Sequence, residues 1–204
     1  MRDTHLLDTH YKANITAGAL LVPESRKIAG LMLKNISRKE WKHEIEENNI
    51  LQRLSVSSSK RIASFIKARL GLMTPDLWVM IRDGDATLST QANFAAAIKH
   101  CKLLGDYLDI IIRAQFKKLE DALPLPLWDE FIVLCEQNDP LMEPFPPSTA
   151  QKMRSNIHKI LVEVGYLSDP YKRKLQKIEI VSEVINYLKK NNEKYVLKCI
   201  EVGT

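Results

Sequence analysis

The sequence predicts a mainly α-helical protein with a helix–turn–helix near its N-terminus and a winged-helix unit, carrying one short β-hairpin, near its C-terminus. Three observations predict it. Only seven glycines and nine prolines punctuate 204 residues. Leu, Ile, Ala, Lys and Glu recur at three- and four-residue intervals, the spacing of one helix face. A two-residue alternation, the signature of a strand, closes the run Leu175-Gln176-Lys177-Ile178-Glu179-Ile180.

In chain order, start and stop signals place a helix over 23–34, with Pro23 near its first turn, and one over 37–48, where Ser37 and Glu40 have capping-box spacing. Helices over 57–70 and 75–83 follow, the second with Thr74 as N-cap and Pro75 in its first turn. Four more cover 87–102, 104–122, 125–138 and 148–164, and a last covers 181–191. Gly165 is a natural helix stop, and Tyr166-Leu167, Ser168-Asp169-Pro170 and the basic residues beyond lead into the alternating run, which together read as the hairpin. Proline clusters at Leu123-Pro124-Leu125-Pro126 and from Asp139-Pro140 to Pro147 punctuate the second half. The second cluster divides the chain into a helical portion, 1–143, and a winged-helix portion, 144–204, packed on it. With 45% hydrophobic and 27% charged residues the chain can bury a substantial core.

Charge is unevenly distributed. The net value of +5 is mild, but Asn48 to Pro75 contains no acidic residue and carries Arg53, Lys60, Arg61, Lys67 and Arg69. Leu119 to Glu143 holds seven carboxylates and no Lys or Arg. Pro147 to Ile178 returns seven basic residues against Glu163 and Asp169. At 100° per residue, Ile62, Phe65, Ile66 and Leu70 share one stripe of the 57–70 helix, and Ser57, Lys60, Arg61, Ser64 and Lys67 fall opposite. After a helix ending near Asn48-Asn49, this is the arrangement of a helix–turn–helix whose second helix enters a DNA major groove while cations and hydroxyls hold phosphate.

The second basic segment repeats the pattern. Met153, Ile157, Ile160, Leu161 and Val164 form the inward stripe, whereas Gln151, Ser155, His158 and Lys159 face outward, flanked by Lys152 and Arg154. Gln and Arg read base edges bidentately. Lys172, Arg173 and Lys174 near the hairpin tip then serve as the wing that meets the sugar-phosphate backbone or minor groove. The predicted DNA-binding set is therefore Arg53, Ser57, Lys60, Arg61, Ser64, Lys67, Gln151, Lys152, Arg154, Ser155, His158, Lys172, Arg173 and Lys174.

No constellation predicts catalysis. His100-Cys101 are adjacent on a helix and point about 100° apart, so with Asp106, Tyr107 and Asp109 they read as polar groups joining central helices. Asp83-Gly84-Asp85 lacks the spacing of a calcium loop and reads as a helix end. Cys101, Cys135 and Cys199 are too far apart in sequence for a paired metal motif and fit a reducing, cytoplasmic compartment. Met1 to His5 has no apolar signal segment, and no apolar run approaches membrane-spanning length. Trp41, Trp78 and Trp128 read as core anchors. The residues thus predict no enzyme activity, no cofactor and no metal.

The run from Ile15 to Ala29, Leu72-Met73-Thr74-Pro75-Asp76-Leu77-Trp78, Ile81-Arg82-Asp83-Gly84-Asp85, Ala95 to Asp109 and Glu163-Val164-Gly165-Tyr166-Leu167 together resemble the BrxA family in order and spacing. The resemblance extends from about Tyr11 to Tyr187. It implies a small, largely helical component of a BREX bacteriophage-exclusion system that binds double-stranded DNA, with other BREX components as further partners; the short apolar runs add the expectation of no membrane partner. Two alternatives remain open at this level: an RNA-binding, antiterminator-like module, and an adaptor that docks another defence protein through the acidic segment.

Overall fold

A computed structural model describes residues 10–169 and 171–203. The signal-peptide reading concerns Met1 to His5, which lie outside the described residues, as does Pro170 of the expected hairpin. The described residues are mainly helical. A 3-10 turn at Asn14–Ala17 precedes α1 (Val22–Leu33), α2 (Arg38–Lys42), α3 (Val56–Leu70), α4 (Pro75–Asp83) and α5 (Ala86–His100). Then come α6 (Lys102–Asp106), α7 (Arg113–Lys117), α8 (Pro126–Asn138), α9 (Pro147–Val164), α10 (Ser182–Lys190) and α11 (Lys194–Ile200). Two of the expected helices are interrupted: α2 runs on as a π-helical stretch, His43–Glu47, and another π-helical stretch, Tyr107–Ile112, joins α6 to α7.

The core is organised around α5. Gln91 to Ile98 are all buried, and Ala92, Ala95, Ala96 and Ala97 leave a slim surface against which neighbouring helices approach closely. α1, α3, α4, α6, α9, α10 and α11 all contact it. The buried cluster runs from Tyr11 to Val202, so both portions of the chain contribute to it. α8 attaches at the periphery: Trp128 and Phe131 pack edge-on against Tyr107 at ring separations of 5.5 and 5.1 Å. Trp128 is thus a core anchor, whereas Trp41 and Trp78 are only partly buried.

The expected β-hairpin does not form; no named strand occurs among the described residues. The segments 166–168 and 174–176 meet at a single antiparallel bridge, Leu167 to Leu175, and Lys174 bridges outward to Ala122. The basic tip is therefore flanked on both sides, with Leu123 N–H donating to the Arg173 carbonyl and Leu175 N–H to that of Asp121. The alternating run beyond it has no ladder partner because α5 supplies one from a side chain: the Gln91 amide donates to the Glu179 carbonyl and accepts from Val181 N–H, each at 2.8 Å.

α2 begins at a capping box. Ser37 Oγ accepts from Glu40 N–H, and the Glu40 carboxylate accepts from Ser37 N–H at 2.7 Å. These bonds hold the Glu40 carboxyl below its ordinary range. Ser37→Ala should lower stability by about 1 kcal/mol, measured as a shift in the urea midpoint. An unchanged midpoint would refute the cap as a contributor.

Candidate nucleic-acid interface

Two helical segments and one turn build the N-terminal basic surface. Between the π-helical stretch and α3, residues 48–55 reverse the chain with Asn49 and Gln52 in the left-handed region, at φ 44° and 53°. Asn49 tolerates this conformation because its short amide can bond locally. Its side chain bonds both the N–H and the carbonyl of Arg53, and Ser59 Oγ donates to it. Ser55 then caps α3 by accepting from Ser58 N–H. The connection is longer than the three or four residues usual in a helix–turn–helix.

α3 presents its residues as the periodicity predicts. Ile62, Phe65, Ile66 and Leu70 are buried, and Ser57, Lys60, Arg61, Ser64 and Lys67 are exposed. Two basic residues of this segment, one of them in the predicted DNA-binding set, do not stand free at the surface. Arg53 is tied to Glu24 of α1 and half-buried, so its charge is spent inside the molecule. Arg69 is fully buried, donating to the carbonyls of Ala19 and Leu20 and lying 4.4 Å over the Phe65 ring. Burial lowers its pKa to about 10, still far above neutrality.

The exposed face of α3 meets α2 and the π-helical stretch at a groove of about 710 Å3 lined by Arg38, Lys39, Trp41, Lys42, Ile45, Glu46, Lys60 and Ser64. Lys60 pairs with Glu46 at 3.2 Å, and Glu47 with His43 at 2.8 Å. Lys67 places its ammonium 4.1 Å from the centroid of Trp41. Arg38, Lys39, Lys42, Arg61 and Lys67 have no carboxylate partner among the described residues. The acid-free window that marks α3 in the sequence excludes Arg38, Lys39, Lys42 and Trp41, which the fold places beside it. Their signal was present as i, i+3 and i+4 spacing, obscured by Glu40, Glu44, Glu46 and Glu47 on the same segment.

The C-terminal set is brought together only in part. Gln151, Lys152 and Ser155 are exposed on α9, and Lys172 and Lys174 are exposed beyond it, while Arg154 and Arg173 are half-buried. Ser155 Oγ donates to the Gln151 carbonyl, and Arg173 Nε to that of Leu123. His158 corrects the outward assignment: it is buried, with Nε2 3.4 Å from the Tyr107 hydroxyl. Burial, with Arg173 and Arg154 adding repulsion, lowers its pKa to about 4, so it carries no cation to a phosphate at neutral pH. Both arginines act electrostatically on His158 and Tyr107, placing α9 and the 172–174 turn in one neighbourhood. No hydrogen bond, ion pair or ring contact joins this set to the outward face of α3 among the described residues.

Several of the remaining titratable groups bond to one another across neighbouring helices. Asp106 accepts from Tyr11 and Tyr195, each at 2.7 Å, and pairs with Lys102. Asp109 binds Arg113 and Lys198 at 2.9 and 2.5 Å. The Cys101 thiol is buried and pushed up to about 11, while the His100 ring stands edge-on to Phe65 with its pKa lowered to about 4 by burial and Arg69. Asp85 caps α5 by accepting from Leu88 N–H, a helix start in place of a metal loop. No helix among the described residues is long and apolar enough to cross a membrane.

A family model described as BrxA matches residues 9–192. The chain is 46% identical over 198 residues to the BREX protein BrxA of Paramagnetospirillum magneticum, covering 97% of this chain and all of that protein. It is 28% identical to the BREX protein BrxA of Escherichia coli, over 95% of this chain and 91% of the relative. Its fold is similar to the crystal structure of an uncharacterized protein from Magnetospirillum magneticum, with a TM-score of 0.89 and 46% identity over 95% of this chain and 99% of the other.

Proposed function

Since the chain belongs to the BrxA family, we propose that it is a non-enzymatic component of a BREX phage-defence system in the cytoplasm and binds double-stranded DNA, with a helix–turn–helix-like unit formed by α2, the π-helical stretch and α3. The observation that carries this reading is the cationic surface formed by Arg38, Lys39 and Lys42 of the groove with Arg61 and Lys67 on the exposed face of α3, none of which has a carboxylate partner among the described residues. Phosphate neutralisation by such a surface releases counterions and makes affinity fall with salt. Ser57 and Ser64 add hydroxyl donors on the same face. The wing-like turn at Lys172 to Lys174, with Gln151, Lys152, Arg154 and Ser155, is a second DNA-facing surface in this reading.

Five phosphate contacts correspond to a slope of log affinity against log salt of about −4 to −5. Fluorescence anisotropy with a labelled duplex over a salt series measures that slope. Absence of duplex binding at low salt, or a slope near zero, would sink the proposal.

A second reading, docking of another BREX protein, is favoured by α8. Asp129, Glu130 and Glu136 are exposed around Val133, and none of these carboxylates has an ion-pair partner among the described residues. Charge reversal there should leave duplex affinity intact and weaken recovery of partner proteins.

A further inference from the structure

The groove beside α3 has a feature that holding duplex phosphates does not require. Its lining adds Trp41 and Ile45 to the cations, and its volume of about 710 Å3 lies within the range of small-molecule sites, about 300–1,000 Å3. Backbone neutralisation needs only cations and N–H or O–H donors at a surface. An aromatic face bordered by cations instead matches a flat ring that carries a phosphate, because bases stack on indole while lysine and arginine hold the adjoining anion. The Lys67 ammonium, 4.1 Å from the Trp41 centroid, already occupies the position of a π-face ligand.

We infer that this groove takes one unpaired nucleotide next to a DNA duplex, its base against Trp41 and its phosphate held among Arg38, Lys39 and Lys42. The inference rests on the duplex-binding reading and deepens it by naming the DNA form preferred: an end or flap with a single-stranded extension. Charge complementarity selects this occupant, since the groove's one acidic lining residue, Glu46, is paired with Lys60 at 3.2 Å. In the bound state the base displaces the Lys67 ammonium, which then meets phosphate.

The test compares a blunt duplex with the same duplex bearing a short single-stranded extension, by anisotropy at fixed salt. The native chain should bind the extended DNA about fivefold to tenfold more tightly. Trp41→Leu, which keeps apolar bulk and removes the stacking face, should reduce the gain of extended over blunt DNA to less than about twofold, read as a ratio because freeing Lys67 also alters blunt-duplex affinity. Trp41→Phe should retain most of the gain. Tryptophan fluorescence of the native chain adds a readout that needs no variant, with stronger quenching by the extended DNA expected.

Equal affinity and equal quenching with both DNAs, blunt binding being intact, overturns this inference alone; failure to bind either DNA overturns the duplex reading with it. A gain that persists in Trp41→Leu also overturns the inference. So does tighter binding of single-stranded RNA of the same sequence than of the extended DNA, which would assign the groove to RNA.

Discussion

Replacing Lys60, Arg61 and Lys67 together by glutamate should weaken duplex binding by about a hundredfold to a thousandfold at moderate salt, because three phosphate attractions become repulsions. The three are not equivalent. Arg61 is exposed and has no ion pair among the described residues, so its loss should be felt most. Lys67 is engaged with Trp41 through its ammonium, and this contact must loosen before it reaches phosphate. Lys60 already shares its charge with Glu46, so Lys60→Glu would set two carboxylates face to face and disturb the groove as well as the ligand. The corresponding glutamine variants are therefore the cleaner measurement. Each phosphate-contacting cation neutralised should make the salt slope shallower by about one. The expected order of effect is Arg61→Gln, then Lys67→Gln, then Lys60→Gln. A triple variant that binds duplex DNA as tightly as the native chain would exclude α3 as the contact surface and leave the acidic face of α8 as the better candidate for function.

How far the molecule can be read from its sequence depends on which forces are local. α4 runs from Pro75 to Asp83 as the Pro75 start and the Asp83-Gly84-Asp85 end dictate, although Thr74 sits at the N-cap position without a side-chain cap bond and meets the Tyr187 hydroxyl instead. α3 and α9 follow their apolar stripes because burial of one face decides the helix. The errors arise where a distant side chain settles a local question. The alternation ending at Ile180 resembles a strand, but Gln91 satisfies its backbone from across the core. Arg53 counts as a free surface cation until Glu24 of α1 pairs with it. His158 is assigned outward by its polarity, whereas Tyr107 accommodates its ring inside. α11, Lys194–Ile200, carries no side-chain cap to mark its start, so packing on α5 had to reveal it. The same limit applies to the candidate site. α3 is legible, but the groove depends on α2 approaching it, and no single-helix argument reaches that pairing.

Acidification should destabilise the protein across a window set by two histidines, His158 buried and His100 half-buried. His100 and His158 have folded-state pKa values lowered to about 4, chiefly by burial, against 6.5 ordinarily. The unfolded chain therefore binds more protons between these limits, so stability is full above pH 6.5 and falls as the pH drops toward 4. Each histidine contributes a loss of about 3 kcal/mol once the window is crossed. Charged groups on neighbouring elements reinforce the sign: Arg69 of α3 acts against protonation of His100, and Arg154 and Arg173 act against that of His158. Protonation also conflicts with the hydrogen bond at His158, because a neutral ring can accept the Tyr107 O–H at Nε2 and an imidazolium cannot. The carboxylates of Asp109 and Asp139, lowered below 3.8, lose their partners only at lower pH, so the two effects separate along the pH axis. Urea unfolding at pH 7, 6, 5 and 4.5 should show a progressive fall in stability for the native chain. His158→Gln, which keeps a polar group toward Tyr107 without a titrating ring, should remove about half of that dependence, and the double variant with His100→Gln most of it. A pH dependence unchanged in the double variant would place the acid sensitivity elsewhere in the core.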